Sequence, residues 1–157
     1  DGKDIQKLEL QEYRSLFAVV SQEPYLFFDT IEKNINLSGK ASEEEIEQAV
    51  RQSGAEAFIE QLPQKEKSMI GRNGARLSGG EKQKLAVARA MIKDAPIIIL
   101  DEATSGYDVE SDKYLYEILD NELKGKTVIS ITHRYDNLSK MDRVYKLEEG
   151  RLLERKP

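Results

Sequence analysis

Apolar residues change their spacing several times along the chain, and each change marks an element. Phe17-Ala18-Val19-Val20 is a short unbroken apolar run suited to a buried strand. Asp29 and Glu32 stand at capping-box spacing, which predicts a short helix starting there. Ser42 and Glu45 repeat the device, Ile46, Ala49 and Val50 follow as an apolar stripe, and Ser53-Gly54 ends that helix. A further short helix is predicted over 55–62, stopped by Pro63. Ser78 and Glu81 give a third capping box, after which Leu85, Ala88, Arg89 and Ile92 continue in helical register. Pro96 introduces Ile97-Ile98-Ile99-Leu100, a continuous apolar run that predicts a strand buried on both faces, as in a parallel sheet. Tyr114, Leu115, Ile118 and Leu119 predict a helix closing at Gly125, and 127–131 is a β-branched strand. Residues 143–147 and 151–154, around Glu149-Gly150, read as a hairpin. Strands separated by helices imply an α/β fold with a mainly parallel sheet. The helical, acidic stretch over 30–64 reads as an inserted lobe.

Composition narrows what such a fold can do. A chain of 157 residues forms one compact domain with a core. Its formal charge of −5 leaves no footprint for nucleic acid, so no nucleic-acid partner is expected. With no Cys, disulfides, thiolate metal sites and a cysteine nucleophile are excluded. His133 is the sole imidazole, which argues against a His-based zinc site. No apolar run approaches the ~20 residues that span a bilayer, so a membrane role comes through partners. Asp1-Gly2-Lys3-Asp4 is neither a signal peptide nor a Met start, and the chain is expected to be cut from something larger.

Four short constellations carry candidate chemistry. Asp101-Glu102 follows the 97–100 strand, and ligands of open α/β sheets sit beyond the carboxyl ends of strands. Asp101 could hold Mg²⁺, which prefers a few hard oxygens, and Glu102 could polarise an attacking water. A solvated strand end explains the pair equally well. Leu77-Ser78-Gly79-Gly80-Glu81-Lys82-Gln83 places two glycines after a capping Ser, where the helix dipole and backbone N–H groups favour phosphate. Ordinary capping around a Gly-Gly turn explains that stretch more simply. His133, ending Ser130-Ile131-Thr132-His133, could meet a γ-phosphate or position water, although a lone His is more often structural. Gln22 leaves the first strand at the same edge, and its amide oxygen could ligate Mg²⁺; alone it is a plain loop residue.

In this order and spacing, the motifs resemble the nucleotide-binding domain of an ATP-binding cassette (ABC) transporter. Gln22 resembles the Q-loop, Leu77-Ser78-Gly79-Gly80-Glu81 the family signature, 97–102 Walker B with its catalytic Glu, Ser105-Gly106-Tyr107-Asp108 the D-loop, and His133 the switch histidine. The resemblance covers essentially the whole chain. It implies a P-loop NTPase-type α/β sheet with an inserted helical subdomain: a lobe over about 30–95 and core parts over 1–29 and 96–157. It implies ATP and Mg²⁺ as ligands, with Gln22 and Asp101 serving the metal, and Glu102 and His133 catalytic. Ser78, Gly79, Gly80, Glu81 and Asp108 would complete the nucleotide site of a second cassette in a head-to-tail dimer. The implied setting is the cytoplasmic face of a membrane, bound to a transmembrane domain and powering export. Leu26-Phe27-Phe28-Asp29-Thr30-Ile31 with Asn34-Ile35 is similar to the exporter pattern after the Q-loop.

Three departures stand against that pattern. No G-x-x-x-x-G-K-[ST] occurs, so the cassette is expected to be N-terminally truncated, with that loop upstream of Asp1 and little ATP turnover from these residues alone. Gly106 and Tyr107 replace the usual Ala-Leu of the D-loop, and Ile70-Gly71-Arg72-Asn73-Gly74 lacks the acid of the exporter Val-Gly-Glu-Arg-Gly. Two other readings compete. A non-enzymatic regulatory partner could donate the signature in trans. An ATPase of the SMC type would need long coiled coils between Gln22 and Ser78, and that stretch is short and lacks heptads.

Overall fold

The computed structural model describes residues 2–103, 117, 121, 123, 125–133 and 138–155. Three strands form a parallel sheet in the order β1 (Phe17–Ser21), β2 (Ile97–Asp101), β3 (Thr127–Ile131). The register is even, with Phe17 opposite Ile97, Ile97 opposite Thr127, Ser21 opposite Asp101, and Asp101 opposite Ile131. All three strands therefore finish level, and the residues that follow them emerge at one edge. α1 (Leu10–Ser15) leads into β1, with the Tyr13 ring edge-on to Phe17 at 5.1 Å.

The long helix α5 (Gly79–Lys93) is the wall between two cores. Its small residues Ala86, Val87 and Ala90 let it lie close on Ala18 and Val20 of β1 and Ile98 and Leu100 of β2. Its Leu85 and Ala88 turn to a second cluster with Leu26, Ile31, Ile46, Val50, Ile59 and Ile70. Most of that cluster comes from α2 (Ile31–Ile35), α3 (Glu43–Gln52) and α4 (Glu56–Ile59), with Leu26 and Ile70 added from loops. Full burial of each large aliphatic side chain there stabilises the fold by about 1.5–3 kcal/mol.

Several expectations shift by small, explicable amounts. α2 starts one residue later than the Asp29–Glu32 spacing predicts, because Thr30 is the cap and accepts from Lys33 N. Asp29 instead accepts from Thr30 N at 2.8 Å and pairs with Lys33 at 3.3 Å. The Ser42–Glu45 box forms as read, with both reciprocal bonds present. The helix predicted over 55–62 keeps only Glu56–Ile59 in α-helical form. β2 is not buried on both faces: Ile98 and Leu100 are covered by α5, whereas Ile97 and Ile99 are half-buried. Along the face away from α5, Val19, Ile99 and Ile129 form a row across the three strands, with Val19 57% exposed. Tyr114, Leu115, Ile118 and Leu119 lie outside the described residues. The terminal hairpin forms from β4 (Val144–Glu148) and β5 (Arg151–Arg155), with both turn residues, Glu149 and Gly150, at positive φ, as a tight two-residue turn requires. Among the described residues, no helix is long and apolar enough to cross a membrane.

Candidate active site

Even register decides what meets at the carboxyl edge. Glu102 extends the ladder one step past β2, donating its N–H to Ile131 O at 2.9 Å. Its backbone then adopts φ +46, a left-handed conformation uncommon for a residue with a β-carbon and concentrated at functional sites. The carboxylate comes to lie against the end of β3, where Glu102 Oε1 stands 3.0 Å from His133 Nε2. Glu102 is 27% exposed and His133 85%, so the pair has a held acid and a ring open to solvent. With a proton on Nε2, the imidazole donates to the carboxylate and fixes its direction.

Asp101 is exposed at the end of β2, and its register partner Ser21 directly precedes Gln22, which is also exposed. Hard oxygen donors thus leave neighbouring strands at one level. Among the described residues no three His, Cys, Asp or Glu gather as a metal cluster. One carboxylate and an amide oxygen nevertheless suit Mg²⁺, which keeps its waters and is commonly completed by phosphate oxygens.

Ser78, Gly79, Gly80 and Glu81 build the first turn of α5. Ser78 N donates to Glu81 Oε2 at 2.7 Å, and Glu81 N donates to Ser78 Oγ at 3.3 Å. The Ser78 hydroxyl, while accepting, keeps its own proton to offer. Asp108 lies outside the described residues, as do Ser105, Gly106 and Tyr107.

Motif reading missed the polar residues that tie the Gln22 loop to its surroundings. Gln83, only 4% exposed, donates from Nε2 to Ser21 O at 3.1 Å. Arg89 donates from Nε to Asn34 O at 2.8 Å, from Nη1 to Tyr25 O at 3.0 Å, and from Nη2 to Asn34 Oδ1 at 3.4 Å. Burial pushes the Arg89 guanidinium below its ordinary value. Asn34, 1% exposed, donates to Phe27 O and Thr30 O and accepts from Phe27 N at 2.7 Å. Asn73, where the exporter pattern departs, accepts from Leu26 N at 3.2 Å. The available signal was a charged Arg89 among the apolar positions of α5, since buried charge needs partners.

The family profile described as ABC transporter matches residues 1–105. The chain belongs to the ABC transporter family. Over 157 aligned positions it is 45% identical to the ATP-dependent lipid A-core flippase of Vibrio cholerae serotype O1, covering 99% of this chain and 27% of the flippase. It is 46% identical to the multidrug resistance protein homolog 65 of Drosophila melanogaster, covering 98% of this chain and 12% of that protein. A solved bacterial Atm1-family ABC exporter with ATP bound superposes with a TM-score of 0.90 at 35% identity, over 96% of this chain and 27% of the exporter. This ABC chain thus spans about a quarter or less of the relatives named here. The α/β fold with a parallel sheet is that of the ABC cassette.

Proposed function

We propose that this chain is the signature-bearing part of an ATP-hydrolysing cassette that powers export across a membrane. The single observation that carries the reading is the contact of Glu102 with His133 at the level ends of β2 and β3. Glu102 accepts the proton of the attacking water, and His133 holds that carboxylate and reaches toward the γ-phosphate. Asp101 and Gln22 would hold Mg²⁺, which neutralises charge on the phosphates. Ser78, Gly79 and Gly80 face the γ-phosphate of ATP held by a second cassette, from a helix N-terminus that favours anions. Glu81 supports Ser78 through the capping box, and Asp108 serves the contact between cassettes. No G-x-x-x-x-G-K-[ST] occurs in this sequence, so the loop cradling the β- and γ-phosphates is assigned to other residues.

The lobe over about 30–95 and the core parts over 1–29 and 96–157 are proposed as the helical and α/β parts of the cassette. The exposed aromatics Tyr25, Phe27 and Phe28, with Met69, form the surface offered to a transmembrane domain on the cytoplasmic side. The flippase named above is ATP-dependent and the superposed structure is an exporter, which supports ATP-driven export here. The test uses the full-length protein with Glu102→Gln. Turnover should fall at least ~10²-fold, while ATP should hold two cassettes together in light scattering. A variant that still hydrolyses ATP normally, or that fails to associate with ATP, overturns the reading.

A further inference from the structure

We infer that Gln83 and Arg89 are positioning residues for Gln22, making the loop that leaves β1 move as one body with the signature helix α5. This rests on the reading of Gln22 as a Mg²⁺ ligand. The loop between Ser21 and Tyr25 is held at both ends by side chains of one helix. Gln83 fixes the carbonyl just before Gln22, at Ser21 O, and Arg89 fixes the carbonyl at Tyr25. At 1.5 Å rise per residue, positions 83 and 89 lie about 9 Å apart along α5, a span that four residues of loop cover with slack. The slack is limited by Pro24, which is buried and whose ring fixes its own φ.

The Gln83 anchor is costly to exchange for water, and the Arg89 anchor is held by the further bonds of its guanidinium. Gln83 is almost fully enclosed, so its amide has no solvent to turn to. Arg89 makes charge-assisted bonds, and its other two nitrogens donate to Asn34, whose side chain closes on Phe27 and Thr30. Everything from Ser21 to Asn34 is thereby referred to α5, while Ser78, Gly79 and Gly80 are the first turn of that same helix. A shift of α5 that seats the signature turn on a phosphate therefore carries both ends of the Gln22 loop with it. A Gln at 83 serving only to fill volume would have no need to aim its amide at the carbonyl preceding Gln22.

The experiment uses the full-length protein with Gln83→Met, Gln83→Leu, Arg89→Lys, Gln22→Ala and the double variant Gln22→Ala/Gln83→Met. Hydrogen exchange of nucleotide-free protein should show the amides of Gln22, Glu23, Tyr25 and Leu26 exchanging about fivefold or more faster in Gln83→Met and Arg89→Lys, the effect of losing at least one anchoring hydrogen bond. Amides in the middle of α5 should be unchanged. The Mg²⁺ concentration for half-maximal ATPase should rise by a similar factor, and Gln83→Met should add nothing further once Gln22 is Ala. Gln83→Leu and Arg89→Lys keep the test open if Gln83→Met does not fold. Unchanged exchange at those four amides, multiplicative effects in the double variant, or a Gln22→Ala protein with normal Mg²⁺ dependence would each overturn the inference. Glu102→Gln in the same assay separates the two levels. If it is inactive while Gln83→Met behaves as wild type, only this inference fails; if it is fully active, the functional reading fails.

Discussion

Ser78 and Glu81 find each other across one helical turn, whereas Glu102 and His133 follow different strands and meet only because β2 and β3 end level. The first arrangement is local chemistry: a hydroxyl, a carboxylate and two backbone amides closing a box. The second depends on register, since a slip of one residue in β3 would send alternate side chains to the other face and take His133 away from the acid. The signature turn should therefore be felt in helix stability as well as in function. The Glu102–His133 pair should be felt in catalysis alone, because His133 stands largely in solvent and adds little to the core.

The largest expected effect is at His133. In the full-length protein, His133→Ala should lower turnover about 10²-fold and leave the melting temperature unchanged. A clear loss of stability would show that the ring is a structural prop and would break the contrast. Ser78→Ala should act on both sides of the comparison. Losing the cap should cost about 1 kcal/mol, a drop of roughly 2–4 °C in melting temperature for a domain of this size, together with impaired ATP-driven association. A Ser78→Ala protein as stable as wild type would remove the local half of the argument.

The smallest effect is at Asp29, which shows a local carboxylate without catalytic work. The hydrogen bond from Thr30 N, with help from Lys33, holds its carboxyl below the ordinary 3.8, against a partial opposing effect of burial. A lowered value in the folded chain means a contribution fully present above pH 3.8 and lost as pH falls through the lowered value. Asp29→Asn should therefore lower the melting temperature slightly at pH 7, and the gap to wild type should close below pH 3.8. A gap that persists in acid would mean that shape rather than charge matters at this position.

Much of the helical half was legible in the sequence. Ser42–Glu45 and Ser78–Glu81 formed their boxes where the spacing put them, and Ile46, Ala49 and Val50 went inside as a stripe should. The one-residue shift at Thr30 arose because two adjacent oxygen-bearing residues could each cap, and only the one at the turn reached Lys33 N. The sheet was less legible. The unbroken 97–100 run predicted cover on both faces, yet α5 covers one, and Ile97 and Ile99 are only half-buried on the other, beside the exposed Val19 and Ile129. An apolar run states that a face can be buried; it does not say what lies against it.

The sequence by itself determined the starts of α3 and α5, the strands and the identity of the candidate site residues, because capping and periodicity act over a few neighbouring positions. Only the tertiary structure decided that Glu102 turns back on His133, that Gln83 and Arg89 hold the two ends of the Gln22 loop, and that Asn73 reaches Leu26. Each of these contacts joins residues that no local period relates. They form because parallel register and one shared helix bring distant segments to the same edge, where a buried polar group must find its partner or lose the hydrogen bonds that water supplied.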